Sequence, residues 1–353
     1  MTKLTKKIIA VISLLLVVSV LFCGCTKEQI LNALAIDLDT YDPAVEMAEN
    51  VLGKTVSKSN LTSGDYTYSV YSDDTAVIVK YNGKDAVLQI PSEIDGYPVI
   101  ALENKSLFKN NDMTELILPD SLEIVGNFAA MYCEKLEKVT FGKNIKNIGV
   151  SAFESEGDDT KSESKGSLTT LVFNGAPEII REEAFYYNDK LTEIVLPDGI
   201  KTIENWAFAK CFKADKIIIG EGTEFIGDHA FLKCNAAEKI VIPDSCKTIS
   251  TSAFYQCRSA AEITIGNSVE IMEKGAFEEC SSVKKIVLPD SLKTMEPYVF
   301  YNCTSLEECV AGDGIETIEK EIFEGIDNLT VKAPEGSVMS EYANANKIKL
   351  VNN

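Results

Sequence analysis

Histidine and tryptophan are almost missing from this chain, which carries one of each, His229 and Trp206, in 353 residues. A lone histidine excludes the multi-histidine metal sites of zinc hydrolases, and no C-x-x-C pair follows residue 25 to replace them. There is no glycine-rich loop of the kind that cradles phosphates, and no Gly-x-Ser-x-Gly elbow for a nucleophile. Basic residues are scarce as well, 34 against 54 acidic ones, for a formal charge of -20. A surface of that sign repels phosphate backbones and excludes nucleic acid as a partner. No apolar run reaches the roughly 20 residues that a membrane-crossing helix needs. The run at 8–22 has 15.

That short run is informative in its own right. It follows Lys3, Lys6 and Lys7 and leads into Cys23-Gly24-Cys25, the layout of a secretory signal peptide. The end of the run resembles a bacterial lipobox, in which the last cysteine is lipidated and becomes the mature N-terminus. The expectation is therefore a signal peptide at 1–24, a lipid on Cys25, and a protein held by that lipid on the extracellular face of the cell membrane. Ordinary secretion and an uncleaved anchor are the alternatives. Loss of 1–24 removes three lysines and no acid, taking the charge to -23. Such a chain stands off from anionic headgroups, so the N-terminal lipid is the membrane contact expected.

Beyond Cys25 the cysteines have a rhythm. Cys211, Cys234, Cys257, Cys280 and Cys303 are 23 residues apart, with Phe208, Phe231, Phe254, Phe277 and Phe300 in step. Units starting at 113, 136, 168, 191, 214, 237, 260, 283 and 306 align nearly everything. The long step, from 136 to 168, contains the polar stretch 155–167, expected to be a solvated loop. Each unit opens with apolar residues at its first, fourth and sixth positions, as in Leu191, Ile194 and Leu196, which marks a short strand with one face buried. Turn residues such as Pro197-Asp198-Gly199 follow, then apolar tenth and thirteenth positions, the Ala-Phe pair and the cysteine. A unit of 23 residues cannot bury these side chains alone, so the units must stack with strands about 4.8 Å apart.

The shared pattern, L-x-x-I-x-L-P-x-x-L-x-x-I-x-x-x-A-F-x-x-C, resembles the BspA-like (treponemal-type) leucine-rich repeat family over roughly residues 85–330. The resemblance implies an α/β repeat fold, a curved solenoid of 23-residue units with short parallel strands, on a bacterial surface protein. It sets the expected domains: a tether with short helix at 25–64, an N-terminal β-hairpin cap at 65–99 turning at Asn82-Gly83, repeats at 100–330, and a helix-and-strand cap at 331–353. Ser337 is the expected N-cap of that last helix.

His229 lies five residues before Cys234, a pairing that suggests a nucleophile or a metal site. The repeat phase argues otherwise. Cys234 shares its position with the ladder cysteines, which should face the core as small hydrophobes. His229 shares the sixteenth position with Trp206, Ser252, Gly275, Tyr298 and Glu321, which have no chemistry in common, so it is expected to face solvent. Five stacked cysteines cannot all pair, and Asn188 is in the same phase, so buried thiols are expected rather than disulfides. Cys246 and Cys309 fall at core positions. Asp120, Asp198, Glu221, Asp244, Asp290 and Asp313 form a column after each strand. Stacked carboxylates can collect calcium, but Asp after Pro also simply favours a turn. No metal or other cofactor is expected.

The fifth position of each unit lies between two core positions and should project from the opposite face of the sheet. Val172, Val195, Ile218, Val241 and Val287 stand there, with Ile117, Thr140, Thr264 and Val310 completing the row. Glu193, Lys216 and Lys239, at the third position, belong to a rim of mixed charge. Such a stripe is either strand propensity alone or a binding surface. The functional expectation is a protein that binds an unknown protein or surface-glycan ligand through this face, in adhesion. A scaffold for partners in the same envelope is the alternative, and an enzyme a remote one. No small-molecule substrate is expected.

Overall fold

The computed structural model describes residues 53–158, 161 and 163–352. Cys25, the signal peptide at 1–24 and the helical part of the tether lie outside the described residues. The strand β1 (Val56–Ser63) does not: it pairs antiparallel with β2 (Tyr66–Tyr71), so the cap begins inside the segment that the sequence reading assigned to the tether. β2 in turn pairs with β3 (Ala76–Tyr81). The hairpin between them turns at residues 72–75, not at Asn82-Gly83. Asp74 takes the left-handed conformation (φ 59°) that aspartate tolerates, and its N–H reaches the Tyr71 carbonyl at 3.0 Å. Asn82 instead follows β3, its N–H held by the Asp65 carbonyl at 2.9 Å.

From β3 onward the chain coils as a parallel solenoid with one rung per repeat. The third to fifth positions of each unit form a front ladder, in which Val195 is in register with Ile218, Ile218 with Val241, and Val241 with Thr264. A second ladder was not foreseen. Residue pairs at the twelfth and thirteenth positions, such as Thr202–Ile203 and Phe225–Ile226, form two-residue strands that line up along a 14-stranded sheet reaching from the cap to Thr317–Ile318. Position seven alternates between proline and glycine over Pro243/Gly266 and Pro289/Gly312. A side chain on Gly266 would place its Cβ 1.9 Å from the Pro243 carbonyl oxygen, and one on Gly312 would place it 2.0 Å from Asp290 Oδ1, so the close approach of the turns leaves no room for a side chain at either.

The third side of the coil returns without a helix. Its sixteenth and twentieth residues, such as His229 (φ 57°) and Lys233 (φ 58°), are left-handed although neither is glycine. That conformation costs about 1–2 kcal/mol for an L-residue. It is held by a ladder to the next rung: the N–H groups of His229, Phe231 and Lys233 bond the carbonyls of Thr251, Ala253 and Tyr255 at 2.9, 2.8 and 2.8 Å. Inside this side the phenylalanines stack without a break from Phe153 to Phe323, with ring centroids 4.9–5.8 Å apart.

Within 155–167, expected as a solvated loop, the described residues Gly157–Asp158 and Glu163–Ser164 form a small antiparallel pair. At the far end the helix α1 (Val338–Ala345) is capped by Ser337, whose side chain accepts the Ser340 N–H at 3.2 Å. The strand Lys349–Asn352 then pairs with Thr330–Ala333 and closes the front ladder. Among the described residues, no helix is long and apolar enough to cross a membrane.

Candidate functional site

The front ladder sorts its residues by position. In the strand Lys239–Val241, Ile240 is fully buried, while Lys239 and Val241 point outward. The valine stripe is therefore real and outward-facing. Val195 and Val287 are 44% and 54% exposed, and Val172, Ile218 and Val241 are half-buried by their neighbours. The stripe is also segmented. The front ladder divides into three four-stranded sheets, which puts Val172 in one, Val195, Ile218 and Val241 in the next, and Val287 in the last. The longest apolar row in one sheet is thus Val195–Ile218–Val241.

The charged rim beside it is paired rather than free. Lys216 meets Glu193 at 2.5 Å, Lys239 meets Glu262 at 2.6 Å, and Glu308 holds both Lys285 and Lys332 at 2.7 Å. The hydrogen bond that Lys216 donates to Glu193 raises its ammonium above the ordinary range, and Lys285 and Lys332 hold the Glu308 carboxyl below its own. Exposed pairs of this kind are screened by solvent and add little to stability. Their effect is to neutralise the border of the apolar row.

His229 is not a solvent-facing residue. Its ring stacks on Trp206 of the preceding rung, centroids 4.3 Å apart and planes 5° from parallel, and Tyr186 abuts Trp206 edge-on. What the sixteenth position shares is backbone conformation, left-handed from Phe128 to Glu321. Burial pushes the imidazole pKa below its ordinary 6.5, against a smaller pull from the Asp228 carboxylate, and Nδ1 is buried without a partner.

Cys234 is turned elsewhere. Its Sγ donates to the Phe208 carbonyl at 3.4 Å, and Cys257, Cys280 and Cys303 repeat the bond to Phe231, Phe254 and Phe277 at 3.4, 3.4 and 3.3 Å. Asn188, in the same column, gives its Nδ2 to the Phe153 carbonyl at 2.9 Å. The column is a set of donors to an internal carbonyl, which is why asparagine can stand in for cysteine. All eight cysteines of the described chain are free and buried. Burial drives the thiols of Cys234, Cys257 and Cys280 well above 9.0 and that of Cys303 to about 12, the opposite of what a nucleophile needs. His229 and Cys234 therefore do not form a pair.

The acidic column has a local task. Carboxylates of Asp120, Asp198 and Asp244 accept the N–H of Lys143, Glu221 and Asn267, the equivalent residues one rung on, at 3.1, 2.8 and 2.8 Å. Among the described residues, no group of three or more His, Cys, Asp or Glu side chains could hold a metal ion. Sequence reasoning missed a second outward column on the two-residue strands. Phe225 and Ile271 are 39% and 37% exposed there, spaced by Thr202, Thr248 and Thr294. Strands of two residues carry too little alternation to reveal themselves.

Among solved structures, the chain is similar to a T. pallidum leucine-rich repeat protein, at 21% identity over 64% of this chain and 90% of that one, with a TM-score of 0.47. A leucine-rich cell surface protein of Faecalibacterium prausnitzii is 19% identical over 80% of this chain and 96% of that one (TM-score 0.36). A leucine-rich repeat protein of Bacteroides ovatus is 18% identical over 83% and 100% (TM-score 0.36). No curated protein matches. The sequence profile described as BspA type Leucine rich repeat region matches in 6 copies, over residues 103–235 and 224–351. That span takes in the rungs whose phenylalanine stack, thiol ladder and front strands have just been traced, and the chain belongs to the BspA-type leucine-rich repeat family.

Proposed function

We propose that this protein is held by a lipid on Cys25 at the outer face of the bacterial membrane and binds another protein through the front ladder. The observation that carries the reading is the row Val195–Ile218–Val241, apolar, outward-facing and bordered by charges that are already paired. Contiguous apolar surface of this kind marks interaction sites, and repeat proteins present such surfaces in extended form. The row is aliphatic, without the aromatic platforms or free hydrogen-bonding groups that suit a glycan, so the partner we favour for it is a protein. Its role is binding rather than catalysis, in keeping with thiols that are buried and protonated.

Two experiments test the two halves. A photo-crosslinking residue at Val241, in intact cells, should capture a discrete partner that the same residue at Thr248, on the second ladder, does not. Equal capture at both would sink the front-face reading, and partners drawn only from the protein's own envelope would favour the scaffold alternative over adhesion. For the anchor, fatty-acid labelling should be abolished by Cys25→Ala, with release of protein to the medium. A label that persists would remove the lipid from the account.

A further inference from the structure

At the N-terminal end, a groove of about 250 Å³ opens between the segment after β3 and the first rung. Its lining is unlike the rest of this acidic chain: Lys80, Lys84, Lys105 and Lys109 face it, against a single carboxylate, Asp112. On the front rim every lysine just described has a carboxylate partner. Here Lys80, Lys84 and Lys109 form no ion pair with a described residue. Lys105 and Lys109 sit 5.8 and 5.2 Å from the centre of the half-buried Phe108 ring.

The amides of the lining are pinned with their donors free. Asn110 Oδ1 accepts the N–H groups of Asp112 and Met113 at 3.1 and 3.2 Å, and Asn111 Oδ1 accepts that of Glu134 at 2.8 Å. The NH2 groups of both have no protein partner among the described residues. The lining thus offers ammonium and amide donors against one carboxylate, Asp112.

We propose that this groove binds an anionic sugar unit, a sugar ring carrying a carboxylate or phosphate. Lysines engage the oxyanion as point charges, and the amides suit ring oxygens. The volume is below the roughly 300–1,000 Å³ of pockets for drug-sized ligands, which fits one ring and its charged group. The unit can come from a polymer or from a free sugar phosphate, and the two sources share this chemistry. The site is independent of the front-face reading.

Titration calorimetry on the purified protein, in about 50 mM salt so that screening stays weak, decides the matter with three probes: tetragalacturonate, glucose 6-phosphate and neutral maltotetraose. The anionic probes should bind, more weakly as salt rises, and maltotetraose should not. A tighter tetragalacturonate complex identifies the polymer source, and a tighter glucose 6-phosphate complex the free one. Lys84→Glu with Lys109→Glu, both exposed, should weaken binding roughly tenfold or more with an unchanged circular dichroism spectrum. Absence of binding by both anionic probes, equal binding of maltotetraose, or indifference to the double variant would overturn the proposal.

Discussion

The phenylalanine side and the valine face run along the same solenoid, rung for rung, yet the first is continuous and the second is cut into three. On the closed side each rung is tied to the next three times over, by a stacked ring, a thiol or amide bonded to a carbonyl, and a ladder of backbone N–H groups. Even the excursion at 155–167 leaves it intact, because Asn188 reaches back across it to Phe153. On the open face, strands of two to four residues are joined by backbone bonds and exposed ion pairs, and their outer side chains are half in water. Where a position is buried and bonded to both neighbours, the residue repeats. Where it is half-exposed, only its β-branched character persists.

Breaking the closed side should have the largest effect. Phe254 lies between Phe231 and Phe277 at 5.1 and 5.2 Å with no exposure, and Phe254→Ala should cost about 3–5 kcal/mol, read from urea denaturation. A loss near that of a surface substitution would mean that the stack is not what holds the rungs.

Alkali should loosen the same side. Burial holds the ladder thiols of Cys133 and Cys303 at about 12, against an ordinary 9.0. Above pH 9 the unfolded chain loses thiol protons that the folded one keeps, so stability should fall as pH rises from 9 towards 12. Cys303→Ala should flatten that slope, whatever it does to stability at neutral pH. An unaltered slope would count against a buried, protonated ladder.

The outer surface of that side gives a smaller effect. Stacking of His229 on Trp206 should be worth about 0.5–1.5 kcal/mol in His229→Ala. Burial depresses the imidazole pKa, so the folded state stays neutral while the unfolded state takes up a proton below about 6.5, and stability should decline as pH falls through that range. Trp206 is the sole tryptophan and reports directly: its fluorescence should titrate with a midpoint below 6.5 and stop titrating in His229→Ala.

These contrasts also mark what was legible in the sequence. The repeat phase, the buried Phe and Cys columns, the front strands and the Ser337 cap could be read because each is a local pattern of apolar residues or capping chemistry. The left-handed residues could not. Glu183, Trp206 and His229 have nothing in common that announces positive φ, since the bonds that impose it come from the next rung. For the same reason the hairpin turn was placed at Asn82-Gly83, where local turn chemistry is strong, while register with β3 put it at Asp74. The lysine groove was invisible as well, because Lys80 and Lys109 approach only once the cap has folded onto the first rung.

The smallest structural effect is expected at the open face, and there the account stands or falls. Val195→Lys, Ile218→Lys and Val241→Lys together should leave circular dichroism unchanged and cost little stability, since all three side chains point away from the core and only add like charges on adjacent strands. The measurement is binding of this folded triple variant to the partner captured at Val241. The account predicts that binding is lost while the fold persists. Binding at wild-type strength by a folded variant would contradict it and reduce the stripe to strand propensity.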